Sequence, residues 1–203
     1  MIDPIEARDL TEGDEPDDAE LMARVRSGDR YAFAQIVDRH KDAVVNYLAR
    51  LTGSRDRAED LAQETFLRLF RSAASYSEQG YLRAYLYRIG TNLVRSEERR
   101  ERRLRLLLPF LLPDRQHAEP AGPAGLLRQE AHRQVASAVA GLPLRFRVPL
   151  VLHEIEGWSY ADIAQELQCR EGTVKSRIHR GRQQLKQELE PYWNGGTPWK
   201  TNS

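Results

Sequence analysis

Cysteine is nearly missing from this chain of 203 residues, which carries Cys169 alone. A single thiol excludes an internal disulfide framework and any all-cysteine metal site built within one chain. Long apolar runs are missing too. Nothing approaches the ~20 residues of a membrane span, and the opening MIDPIEARDL lacks the basic-then-apolar order of a signal peptide. A soluble cytoplasmic protein is therefore expected. β-Branched residues are few and glycine and proline cluster at a few points, whereas Leu, Ala, Arg, Glu and Gln abound, which argues for an all-α fold. The mass of 23.4 kDa suits two small helical domains, each with its own core, better than one.

Net charge is also small, at +1, but the average conceals a division. Residues 1–20 hold nine acids against Arg8 alone, roughly −8, which leaves roughly +9 on the remainder. Residues 1–17, acidic and interrupted by proline, offer too few apolar side chains to offset ordering entropy and are expected to be a disordered arm.

What is present is richest between Gly157 and Leu185. Ser159 and Asp162 stand at capping-box spacing ahead of Ile163, Ala164 and Leu167, which share one helical face. The periodicity breaks around Gln168 to Gly172 and resumes as Val174, Ile178, Gly181 and Leu185, a second buried stripe. The other faces carry Thr173, Lys175, Ser176, Arg177, His179, Arg180 and Arg182. These types hydrogen-bond phosphates and base edges, and a helix-turn-helix sets its second helix in the major groove. The competing reading is a solvated helical hairpin, but such a face mixes Glu with Lys and this one hardly does.

Upstream, Asp29 can cap a long helix burying Phe33, Ile36, Val37, Val44, Tyr47, Leu48 and Leu51. Gly53 can end it, and Ser54 can cap a helix to about Ser75 that buries Leu61, Thr65 or Phe66, and Leu69. A fourth helix from about Tyr81 runs into the arginines of residues 95–105. The first domain is thus set at 18–105. Residues 106–127, with their four prolines and two glycines, are read as a flexible linker, apolar at its start. A partner's groove and an internal seam both remain open as cover for its leucines. The second domain is set at 128–192, with Pro143 at a first helical position, Pro149 awkward in mid-helix, Pro191 as a stop, and 193–203 as a tail.

Three constellations bear on chemistry. Asp60 and Glu64 share a helical face, which allows a divalent-metal site or an acidic docking face; the Glu-x-x-His repeats of helical-bundle metal sites are missing. His153 and Glu154 begin like a zinc-protease motif, but Gly157 stands where the second His must be. Tyr76, Tyr81, Tyr85 and Tyr87 interleave with Arg83, Arg88 and Arg95, the mixture of stacking surfaces and phosphate contacts that holds single-stranded nucleic acid. Core packing of the same tyrosines competes with that reading.

The order of these parts resembles an extracytoplasmic-function sigma factor of bacterial RNA polymerase, in the sigma-70 family. AEDLAQETFLRLFR (Ala58 to Arg71) is similar to the family's core-polymerase docking helix, and YLRAYLYRIGTNLVRSEERR (Tyr81 to Arg100) to its promoter-melting segment. The stretch from Leu142 to Leu185, with its GTVKSR, is similar to the −35-binding domain. The resemblance implies a transcription initiation factor that is not itself an enzyme and needs no cofactor or metal. Asp60, Gln63, Glu64 and Phe66 would meet the β′ clamp helices of core polymerase, which also engages such factors through its β subunit. Tyr76, Tyr81, Arg83, Tyr85, Arg88 and Asn92 would bind the −10 strand. Arg170, Glu171, Thr173, Lys175, Ser176, Arg177, His179 and Arg180 would contact the −35 element. Promoter DNA and an anti-sigma factor are the further partners implied, with no small-molecule substrate. Tyr85 stands where the family commonly has Trp. The alternatives are a stand-alone helix-turn-helix regulator, which leaves the tyrosine-arginine helix without a role, and a carboxylate metal enzyme, which leaves GTVKSR without one.

Overall fold

The computed structural model describes residues 16–76, 82–107 and 126–193. The expectations for the acidic arm, for Tyr81, for most of the apolar linker and for the tail fall outside the described residues. Among those described there are eight α-helices, one 3-10 turn and no strand. None of the helices is long and apolar enough to cross a membrane.

Local capping sets the first three helices. Asp17 accepts from the Glu20 amide to start α1 (Asp18–Arg26). Asp29 accepts from the amides of Tyr31 and Ala32 to start α2 (Arg30–Thr52); these amides and the Arg24 guanidinium hold its carboxyl below the usual range. Gly53 ends α2 at φ 71°, a left-handed conformation natural to glycine, and Ser54 caps α3 (Arg55–Ser72) through the Arg57 amide. Space as well as φ demands Gly53: a Cβ there would lie 2.7 Å from the Ala140 Cβ. A 3-10 turn, Ala73–Ser75, follows, and then α4 (Leu82–Leu107).

These helices bury Leu21, Ile36, Leu48, Leu51, Leu69 and Leu86 completely. Asp18 fastens α1 to α2 through Arg39 at 2.9 Å and His40 at 2.8 Å. At the centre Tyr47 pairs with Thr91 Oγ1 at 2.7 Å and stacks on Tyr87 at 4.1 Å between centroids, so its one polar atom is satisfied where water is excluded. Burial pushes the phenols of Tyr47 and Tyr87 well above the usual tyrosine range.

The second half comprises α5 (Leu126–Gly141), α6 (Leu144–Glu154), α7 (Tyr160–Glu166) and α8 (Glu171–Trp193). Val148, Val151 and Leu152 of α6 meet Ile163 of α7 and Val174 and Ile178 of α8 in its core. Pro143 takes the N-cap position, one residue ahead of the first helical position expected of it. Pro149 lies buried inside a continuous α6, although its missing N–H leaves the helix one bond short. The helix α8 runs on through Pro191 to Trp193, where the sequence suggested a stop at the proline.

The two halves pack against each other. Arg147, 7% exposed, donates to the carbonyls of Leu51 and Leu142 and lies 3.4 Å from Glu98, so a buried cation spans the seam on backbone acceptors. Burial pulls its guanidinium below the usual arginine range. Tyr87 donates to Glu156 at 2.7 Å and stacks near Trp158, while Arg50 pairs with the other Glu156 oxygen at 3.1 Å.

Candidate nucleic-acid interface

The helix-turn-helix forms as its spacing predicts. Ser159 Oγ accepts from the Asp162 amide at 3.1 Å and the Asp162 carboxylate accepts from the Ser159 amide, the reciprocal capping box. The turn holds Gln168 at φ 49° before α8 begins at Glu171. Val174, Ile178 and Gly181 are buried, and this pins the opposite side of α8 outward. Arg170, Glu171, Lys175, Ser176, His179 and Arg180 are exposed, whereas Thr173 and Arg177 are half-buried. Arg177 turns toward Cys169, with Nη1 3.9 Å from Sγ. Lys175 Nζ stands 5.4 Å from the Tyr160 ring centre, a cation over an aromatic face. Among the described residues, no carboxylate lies within ion-pair distance of Arg170, Lys175 or Arg180.

The tyrosine-arginine helix divides. Tyr85 and Asn92 lie seven residues apart on one face of α4. They share a shallow groove of about 480 Å³ with Ile89 and with Arg68, Arg71, Ser72 and Ser75 of α3 and the turn after it. Tyr85 keeps its ring half-buried there and its hydroxyl 3.2 Å from Ser72 Oγ. Arg71, Ser72 and Ser75 were missed from sequence. The signal available was their nearness to the polar loop before α4. Three other expected members do not join the groove. Tyr76 is 8% exposed with its ring against Tyr85, because it closes the end of the core. Arg83, two residues before Tyr85, falls on the far side of the helix, one turn from Tyr87. Arg88 is exposed but engaged across the seam: Nε and Nη2 donate to the Glu166 carboxylate at 3.0 and 2.8 Å, a two-pronged pair.

The acidic face of α3 presents Asp60 and Gln63 to solvent, with Glu64 half-buried beside them. Arg68 holds Glu64 at 2.8 Å and keeps its carboxyl below the usual range. Phe66 does not belong to this face. At 6% exposure it packs in the core, while Leu67 and Phe70 are outward at 48% and 41%. Among the described residues, no three His, Cys, Asp or Glu side chains gather as metal ligands would.

Comparison with known proteins bears on both halves. The family model described as Sigma-70 region 2 matches residues 36–104, and Sigma-70, region 4, matches residues 132–185. The chain is 41% identical over 170 residues to the ECF RNA polymerase sigma factor SigE of Mycolicibacterium smegmatis, covering 80% of this chain and 65% of that one. It is 33% identical over 185 residues to SigW of Bacillus subtilis, covering 83% and 94%. Among solved structures it is similar to the sigma factor RpoE in complex with the anti-sigma factor NepR from Bartonella quintana, with a TM-score of 0.62, 26% identity and coverage of 78% and 96%. It is also similar to CnrH in complex with the cytosolic domain of CnrY, with a TM-score of 0.59, 27% identity and coverage of 84% and 96%.

Proposed function

The chain belongs to the extracytoplasmic-function sigma factors of the sigma-70 family, and on that premise we propose how its two halves divide the work of transcription initiation. The second half, residues 128–192, anchors the −35 duplex through Arg170, Glu171, Lys175, Ser176, His179 and Arg180, with Thr173 and Arg177 at the inner edge of the contact. One observation carries this assignment: the basic side of α8 is held outward by a buried stripe, and among the described residues no carboxylate lies within ion-pair distance of Arg170, Lys175 or Arg180, the electrostatic state in which a helix binds phosphates.

The first half, residues 18–105, does two tasks. The groove at Tyr85 and Asn92 captures an unstacked base of the −10 non-template strand, with Arg71 on a flanking phosphate. Extruding a base costs a few kcal/mol, which these contacts offset. Arg88 joins that strand once it leaves Glu166, and Arg83 contacts the strand farther along. The acidic face of Asp60, Gln63 and Glu64 docks on the β′ clamp helices of core polymerase, with Leu67 and Phe70 as the apolar rim in place of the buried Phe66. The work is non-catalytic and takes place in the cytoplasm. An anti-sigma factor is a further partner, on the likeness to the two complexes above.

Run-off transcription on genomic fragments with added core polymerase tests the whole reading. Discrete transcripts that depend on this chain are expected. Identical transcription with and without it refutes the reading.

A further inference from the structure

Between α4 and the start of α6 lies a cleft of about 380 Å³ that neither DNA face uses as a whole. Arg95, Arg99 and Arg102 of α4 enter it from one half, and Arg145 of α6 and Arg177 of α8 from the other. Elsewhere arginines of this protein find acids: Arg24, Arg50, Arg57, Arg68 and Arg182 each lie within ion-pair distance of a carboxylate. The five cleft arginines have none among the described residues. Their contacts are neutral: Arg95 with the Asn92 side-chain oxygen at 3.1 Å, Arg99 with the Arg95 carbonyl at 3.3 Å, Arg145 over the Phe146 ring at 4.7 Å, and Arg177 with Cys169. The one carboxylate in the cleft, Glu98, is turned to the buried Arg147.

Two like-charged sets facing each other across a seam repel, and an anion between them converts that repulsion into attraction. On the α6 side, beside Arg145, the cleft wall is apolar, formed by Pro143, Leu144, Val148 and Pro149 with Leu167. Guanidinium forks match phosphate oxygens two at a time, and the cleft has the size of a small-ligand pocket. The geometry points to a binding site for an oligophosphate anion, free or carried by a nucleotide whose base lies on the apolar wall. Such an anion touches both halves and favours the packed arrangement over one in which they separate. The site shares Arg177 with the −35 contact proposed above, but its occupancy needs neither polymerase nor DNA.

Calorimetric titration of the full chain with guanosine triphosphate and with inorganic tripolyphosphate, at fixed salt, tests it. One-to-one binding is expected. Arg145→Ala and Arg102→Ala, both at exposed positions, each weaken it on the order of tenfold. Arg180→Ala, outside the cleft, leaves the affinity for both probes as it was. A tighter nucleotide supports the site with the base on the apolar wall, whereas equal affinity supports it with the phosphate chain alone as ligand. Absence of binding, or equal weakening by Arg180→Ala and Arg145→Ala, overturns the proposal, the second outcome marking a diffuse attraction to the basic surface.

Discussion

The basic side of α8 and the basic side of α4 make an instructive pair. On α8 the buried stripe Val174, Ile178 and Gly181 fixes the helix, and Arg170, Lys175 and Arg180 stand in solvent with no carboxylate within ion-pair distance among the described residues. On α4 the groove at Tyr85 and Asn92 is open, but its neighbour Arg88 is clasped by Glu166, whose side chain is only 8% exposed. Tyr87, one residue before, is tied to Glu156. One reader is preformed and the other is held by its companion half. Glu166 cannot hold Arg88 and leave it to a DNA phosphate, so on the proposed role full use of the −10 side breaks this pair across the seam.

Perturbations of this contrast range from the loss of a partner to small shifts in stability. Asp60→Arg lies on neither basic face and is expected to abolish co-purification with core polymerase while circular dichroism stays unchanged; retained association would refute the docking face. Arg147→Ala removes the buried cation that joins the halves through the Leu51 carbonyl and also holds the Leu142 carbonyl of its own half. It should lower the free energy of unfolding in urea by about 3 kcal/mol, because two carbonyls lose their donor. A change below about 1 kcal/mol would mean that the seam does not carry stability. Lys175→Ala or Arg177→Ala should weaken binding to a −35 duplex by ~1 to 3 kcal/mol if the side chain reads a base, and by less with a shallower salt slope if it touches phosphate only. Unchanged binding after both substitutions would sink the recognition-helix assignment.

The smallest effect is alkaline. Tyr47 is completely buried and its folded-state pKa is raised by burial, so the unfolded chain releases the phenolic proton first. Its contribution is intact below the ordinary tyrosine value near 10 and shrinks as pH rises past it, by about 1 kcal/mol at pH 11. Urea unfolding at pH 8 and pH 11 should show a pH-dependent loss smaller in Tyr47→Phe than in the parent. An equal loss in both proteins would assign the alkaline sensitivity to other groups.

Legibility from sequence followed distance along the chain. The Asp29 cap, the left-handed Gly53 and the Ser159 and Asp162 capping box were readable because each joins residues within a few positions. The stripe of α8 was readable because helical periodicity alone fixes it. Phe66 and Tyr76 were misplaced for a related reason. Thr65 and Phe66 sit side by side at the edge of one stripe, and periodicity could not tell that both are buried. The clasp on Arg88 joins residues 78 apart and the Tyr87 bond to Glu156 spans 69, and neither carries a local pattern. Arg147 stands between two apolar residues with no local pattern to mark it, and only the approach of the Leu51 carbonyl makes it a core residue.

On the proposed roles, the second half restrains the −10 side and leaves the −35 side free. The direct measurement compares the parent with Glu156→Ala/Glu166→Ala for affinity to a −10 single strand and to a −35 duplex, both cut from a promoter found by run-off transcription. Several-fold tighter binding of the single strand by the variant and unchanged binding of the duplex are expected. Unchanged affinity for both, or an equal gain on both, would contradict this restraint.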